Sequence, residues 1–148
     1  MPSPEPSTAT FRRVPPDIRR GVVERFVRKL QAEVTKGHAF DCLITGDAEL
    51  RRLNKEFRGK DYPTDVLSFP SDVAGSLGDI AISAQRARAQ AREFGHSTEK
   101  EVSILMLHGV LHLMGLDHET DKGQMARAEK RWRARLGLPS GLIERVRR

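Results

Sequence analysis

Between Val102 and Met114 the chain reads V-S-I-L-M-L-H-G-V-L-H-L-M, apolar on nearly every side of a helix rather than along one stripe. A helix without a polar face belongs in the middle of a domain. That constrains the fold more than any other feature, because the remaining elements must cover it. Thr98-Glu99-Lys100-Glu101 just ahead has the pattern of a capping box, in which Thr98 and Glu101 each satisfy a free amide at the helix start. The helix is expected from about Glu99 to Met114, with Gly115 in the left-handed conformation ending it. The run Val102 to Leu107 is far short of the roughly 20 residues that a bilayer requires.

The cover is legible as seven further segments and one weaker one. Ile18, Val22, Phe26, Leu30 and Val34 recur every four residues behind Pro15-Pro16-Asp17, with Val23 and Val27 beside them, which predicts an amphipathic helix ended by Gly37. Phe40 to Thr45, Asp65 to Phe69 and Gly78 to Ile82 read as strands, and Thr10 to Val14 as a short one. Asp47 is expected to cap a helix bearing Leu50, Leu53 and Phe57. Ser83 is expected to cap another, running to Phe94 and closed by Gly95. A last helix begins at Asp121, with Met125, Trp132 and Leu136 inward, and stops at Gly137 and Pro139. At 148 residues this is one domain's length. The predicted class is α+β: a small mixed sheet packed with several helices around one buried central helix. Pro and Ser dominate residues 1–9, which are expected to be a disordered tail ahead of a domain over 10–148.

The buried helix carries His108 and His112, four residues apart and so on one face. A core histidine with a single hydrogen-bond partner is the ordinary reading of either alone. Burying two is costly unless both nitrogens of each ring are satisfied. A metal satisfies one nitrogen and a further acceptor the other. Gly115 follows three residues after His112, and His118 three after that, so the chain can turn back toward the pair. Three imidazoles suit one zinc ion, with a fourth position left for water or substrate. Cys42 on the Phe40 strand is a candidate fourth ligand, although a small buried thiol is the commoner role there. His38 and His96 have no such company and are expected at the surface.

This spacing is also that of metzincin peptidases, H-E-x-x-H-x-x-G-x-x-H. The glutamate that would activate water falls at 109, where the chain has Gly109. Peptide hydrolysis loses its general base, while a metal can still polarise a phosphoryl oxygen. Charge points the same way. Lys plus Arg number 26 against 20 Asp plus Glu, a net +6 that favours polyanionic partners, nucleic acid first. Residues 12–36 and 121–148 hold eight and nine basic groups against three acidic each, while 62–85 hold three Asp and no Lys or Arg. The two basic helices are therefore candidates for tracking a nucleic-acid backbone. Cys42 is the only cysteine, which excludes an intrachain disulfide and fits a reducing compartment. The first residues lack the basic and apolar regions of a signal peptide, so the cytoplasm is the expected location.

The string His108-Gly-Val-Leu-His112-Leu-Met-Gly115-Leu-Asp-His118 resembles the signature of the YbeY family, bacterial metal-dependent endoribonucleases of ribosomal RNA maturation. Two further blocks agree: Leu53 to Asp61 with Pro63 to Pro70, and Leu77 to Ile80. The resemblance spans roughly 39–136, and Leu116 departs from it where the family usually has Tyr. It implies His108, His112 and His118 as ligands of one zinc ion and Arg58 as the functional arginine. Physically, a guanidinium at the end of the Leu50/Leu53/Phe57 helix can hold a phosphate in two hydrogen bonds. The resemblance further implies single-stranded ribosomal RNA and the small ribosomal subunit as partners, with roles in small-subunit maturation and quality control. No membrane and no small-molecule cofactor are expected. Asp65 and Asp79 are expected in turn or cap hydrogen bonds. Asp117 fits either a turn or the orientation of a ligand imidazole. The competing functions are a metzincin-like peptidase and a non-catalytic, zinc-stabilised ribosome-binding module. Oligomeric state and strand order are not legible, nor is whether the nucleophile is water or the RNA's own 2′-hydroxyl.

Overall fold

A computed structural model describes residues 5–139. The order is β1 (Thr8–Phe11), α1 (Arg20–Glu33), β2 (Ala39–Thr45), α2 (Asp47–Arg58), β3 (Val66–Pro70), β4 (Ser76–Ser83), α3 (Ala84–Phe94), α4 (Thr98–Leu113) and α5 (Gln124–Arg135). The four strands form one mixed sheet in the order β1-β2-β4-β3. β1 and β4 both run parallel to β2, and β3 is antiparallel to β4 at the far edge. The architecture is the expected α+β, and α4 is its central helix: residues 101–111 are buried without a break.

Strand alternation sorts the sheet into two faces. Phe40, Cys42 and Ile44 of β2 and Ile80 and Ile82 of β4 join α1, α4 and α5 in the main core. The opposite face is covered only in part. There Leu50 and Leu53 of α2 pack on Leu67, Phe69 and Ala81 in a second, smaller cluster. The partly covered face matters below.

Several expectations are corrected. The predicted tail is ordered from Ser7: its hydroxyl accepts from the Phe40 amide, and its own amide donates to Gln31. Thr8 and Ala9 then pair with Asp41 and Cys42, so β1 starts two residues early. Residues 1–4 of that tail lie outside the described residues. The first helix starts at Arg20, after a turn over Pro15–Ile18. Its inward stripe is Val23, Val27, Leu30 and Val34 rather than the strict four-residue repeat. A step of four turns about 400°, so such a repeat drifts round the helix by about 40° each time.

Three caps also differ. Ser97, not Thr98, caps α4, its hydroxyl accepting from the Lys100 amide. This releases Glu101 to pair with His96 at 2.6 Å in a buried contact, so His96 is not a surface residue. Gly46 takes the cap position of α2, while Asp47 accepts from the Ser83 hydroxyl. Asp121 stands before α5 and caps it from outside, its carboxylate accepting from the amides of Gly123 and Met125. These hydrogen bonds hold its carboxyl below its usual range. Ser83 caps α3, and Gly95 closes it, as expected.

Candidate metal centre

The three histidines converge. His108 and His112 leave the same face of α4, and their ring centroids are 4.8 Å apart. Gly115 takes φ +94°, which reverses the chain after α4. The returning segment puts the His118 ring 5.7 Å from His108 and 6.0 Å from His112. One ring nitrogen of each residue lies within 4.8 Å of the others, a set able to hold a metal ion.

The donor set fits such an ion on three grounds. Burial, reinforced by the neighbouring His108, holds His112 below the ordinary histidine value, so it is neutral at pH 7, the form that binds metal. His118 Nδ1 is buried with no hydrogen-bond partner among the described residues, a cost that a cation among the rings would help to offset. His108 is held from behind: its Nδ1 lies 2.8 Å from Glu129 Oε2, with Glu129 only 1% exposed. A carboxylate there fixes the tautomer and directs Nε2 the other way.

Sequence reasoning missed Glu129. Its signal was a carboxylate at the helical spacing of Met125, Ala128 and Trp132, on the inward stripe of α5. Cys42 takes no part. It is buried in the core under the sheet, and burial pushes its thiol far up, away from the thiolate that binds metal.

Arg58 ends α2, and Gly59 in the left-handed conformation closes the helix behind it. A cation at a helix C-terminus is favourably placed against the helix dipole. Arg58 lines the same cleft as the three histidines, a cavity of about 370 Å³. Among the described residues its guanidinium has neither an ion pair nor a hydrogen bond. Asp65 and Asp117 also border the cleft. Asp65 accepts from Gln90, as a structural role requires. Asp117 accepts from the Glu119 amide in a tight turn, and its charge also acts on His112. Asp79 is in no turn. It stands on β4 beside Asp41, and partial loss of hydration together with that neighbour's charge raises its carboxyl above the usual value.

Gly109 explains why no glutamate stands between the histidines. A Cβ at this position would lie 3.0 Å from Ile80 Cγ2 and 3.1 Å from Ser68 Oγ. The helix backbone rests directly on β3 and β4 here, with the Ser68 hydroxyl donating to the Gly109 carbonyl at 3.1 Å. A side chain at 109 would press on Ile80 and Ser68 of the sheet.

Fold and cleft together define a small α+β protein that gathers three imidazoles at the end of a buried helix, in one cleft with an arginine. The profile described as Endoribonuclease YbeY matches residues 11–137. A Solibacter usitatus protein named Endoribonuclease YbeY is 70% identical over 146 residues, 99% of each chain. A Helicobacter pylori protein of the same name is 44% identical over 108 residues, covering 72% of this chain and 77% of its own. The solution structure of a Thermotoga maritima protein aligns with a TM-score of 0.58 at 32% identity, over 84% of this chain and 85% of that one. The chain belongs to the YbeY family of endoribonucleases. The match begins at residue 11, so it takes in α1, beyond the span that the sequence motifs covered.

Proposed function

We propose that this protein is a zinc-dependent endoribonuclease that cuts single-stranded ribosomal RNA in maturation and quality control of the small ribosomal subunit, in the cytoplasm. The observation that carries the reading is Arg58, whose guanidinium has no partner among the described residues and lines one cleft with three convergent imidazoles. His108, His112 and His118 would hold the zinc ion, which when bound supplies a Lewis acid for the phosphoryl oxygen. Glu129 keeps His108 in the orientation that binding needs. Arg58 contributes the fork of donors that grips a phosphate and stabilises the charge that develops on it.

The peptidase alternative is opposed by Gly109, which brings no general base to the position where that chemistry needs a glutamate. No helix among the described residues is long and apolar enough to cross a membrane. The test is to incubate zinc-loaded and chelator-stripped protein with ribosomal RNA and with casein. RNA cleavage that requires the metal and leaves casein intact is expected. His108→Ala/His112→Ala should lose stoichiometric zinc and cleavage together. Full zinc content in that double variant, by elemental analysis, would overturn the site. Mapping the product termini distinguishes water from the 2′-hydroxyl as nucleophile.

A further inference from the structure

The histidine cleft does not end at the sheet edge. β3 is the edge strand, and on its other side the partly covered sheet face forms a groove of about 840 Å³. Arg58, Ser68 and Pro70 line both cavities, so the groove and the cleft meet around the end of β3.

The groove has an unusual lining. Phe57, the residue before Arg58, projects into it and is 62% exposed. A phenylalanine left so far in water forgoes most of the free energy of its burial. Its ring is nevertheless located, edge-on to Phe69 with centroids 5.4 Å apart and planes at 64°. Asp41 and Asp79 also line the groove, side by side in the register of β2 and β4. Two adjacent carboxylates repel phosphate and accept hydrogen bonds from N–H groups. Arg12 lines the groove as well, so its charge is mixed, but an aromatic wall beside acceptors suits a flat heteroaromatic ring better than a sugar-phosphate backbone. Arg58, at the mouth shared with the cleft, suits the phosphate instead.

We propose that this groove seats one unpaired nucleobase of the RNA, stacked on Phe57, while Arg58 holds the phosphate linking it to the point of cleavage. The inference rests on the RNA-cleaving reading above and deepens it. Selectivity for single strands follows, because a paired base cannot leave its helix to enter the groove without the cost of unstacking.

The test uses zinc-loaded protein and short single-stranded 2′-O-methyl RNAs, checked by electrophoresis to remain intact. One strand carries every base, and the others each lack the base at one position in turn. Equilibrium binding is measured for wild type, Phe57→Ala and Phe57→Tyr. Phe57→Ala is expected to weaken binding of the complete strand roughly 5- to 150-fold, the range for loss of one stacked base. Phe57→Tyr should retain wild-type affinity, since any aromatic ring offers a stacking face. The strand lacking the seated base should bind wild type and Phe57→Ala equally. Equal affinity of Phe57→Ala and wild type for every strand would overturn the inference and leave metal-dependent cleavage standing. So would a loss that is the same whichever base is missing. If wild-type protein binds no strand and cuts no RNA, the functional reading itself fails, and this inference with it.

Discussion

Glu129→Gln is the most informative single substitution, because it leaves the three ligands and Arg58 in place. Gln has nearly the same shape as Glu, so its carboxamide oxygen can still accept from His108 Nδ1 at the observed 2.8 Å. What disappears is the negative charge, in a place where water does not screen it: His108 is 6% and Glu129 1% exposed. Loss of such a supporting partner typically weakens metal binding about 10- to 100-fold, or roughly 1.4–2.8 kcal/mol. At saturating zinc, a protein of this size should then lose roughly 3–11 °C of the rise in Tm that zinc confers. Competition against a chromophoric chelator measures the affinity, and melting with zinc and with EDTA measures the linked stability. The variant melted in EDTA serves as the control for folding. Wild-type zinc affinity in a folded Glu129→Gln protein would refute the claim that this carboxylate supports the metal centre.

Arg58→Ala should leave zinc content and melting unchanged but cut the cleavage rate about 100- to 1,000-fold, as for one lost preorganised donor. Arg58→Lys should recover only part, because an ammonium lacks the planar fork; wild-type rates in Arg58→Ala would make this an ordinary surface arginine. Gly109→Ala should destabilise by about 1–3 kcal/mol in urea unfolding through overpacking against Ile80 and Ser68. A neutral result there would mean that α4 and the sheet have slack. Salt dependence of RNA binding should separate the two basic helices. α5 carries Glu129 against His108 and so borders the metal centre, whereas α1 packs beside β1, at the edge of the sheet opposite β3. Charge reversal of Arg131 and Arg135 should therefore flatten the salt slope, by about 0.7 for each phosphate no longer neutralised, and reversal of Arg28 and Lys29 should leave it unchanged. An unchanged slope after reversal of Arg131 and Arg135 would remove α5 from the binding surface, and a flattened one after reversal of Arg28 and Lys29 would add α1 to it.

The elements were legible because their signals are local and periodic. An all-apolar stretch had to be the buried helix, and a spacing of four had to put His108 and His112 on one face. Gly115 made a reversal toward His118 readable from composition alone, since a left-handed turn needs no partner elsewhere in the chain. That Arg58 ends a helix was legible for the same reason, while its choice as a functional residue came from the resemblance to the YbeY motif blocks. The class of fold, the three imidazoles and the arginine were thus present in the sequence before any packing was known.

Tertiary structure decided what joins residues distant in the chain. Glu129 reaches His108 across 21 residues and Ser68 reaches Gly109 across 41, and no periodicity links such pairs. The choice of Ser97 over Thr98 as the cap of α4 went with the burial of Glu101 against His96, which only the packed helix imposes. Strand order is equally silent in sequence, because each strand pattern states which residues face inward but not which neighbour pairs with it. That order makes β3 an edge, lets one cavity continue into another around its end, and so turns an exposed Phe57 from an ordinary helix residue into the wall of a groove beside Arg58.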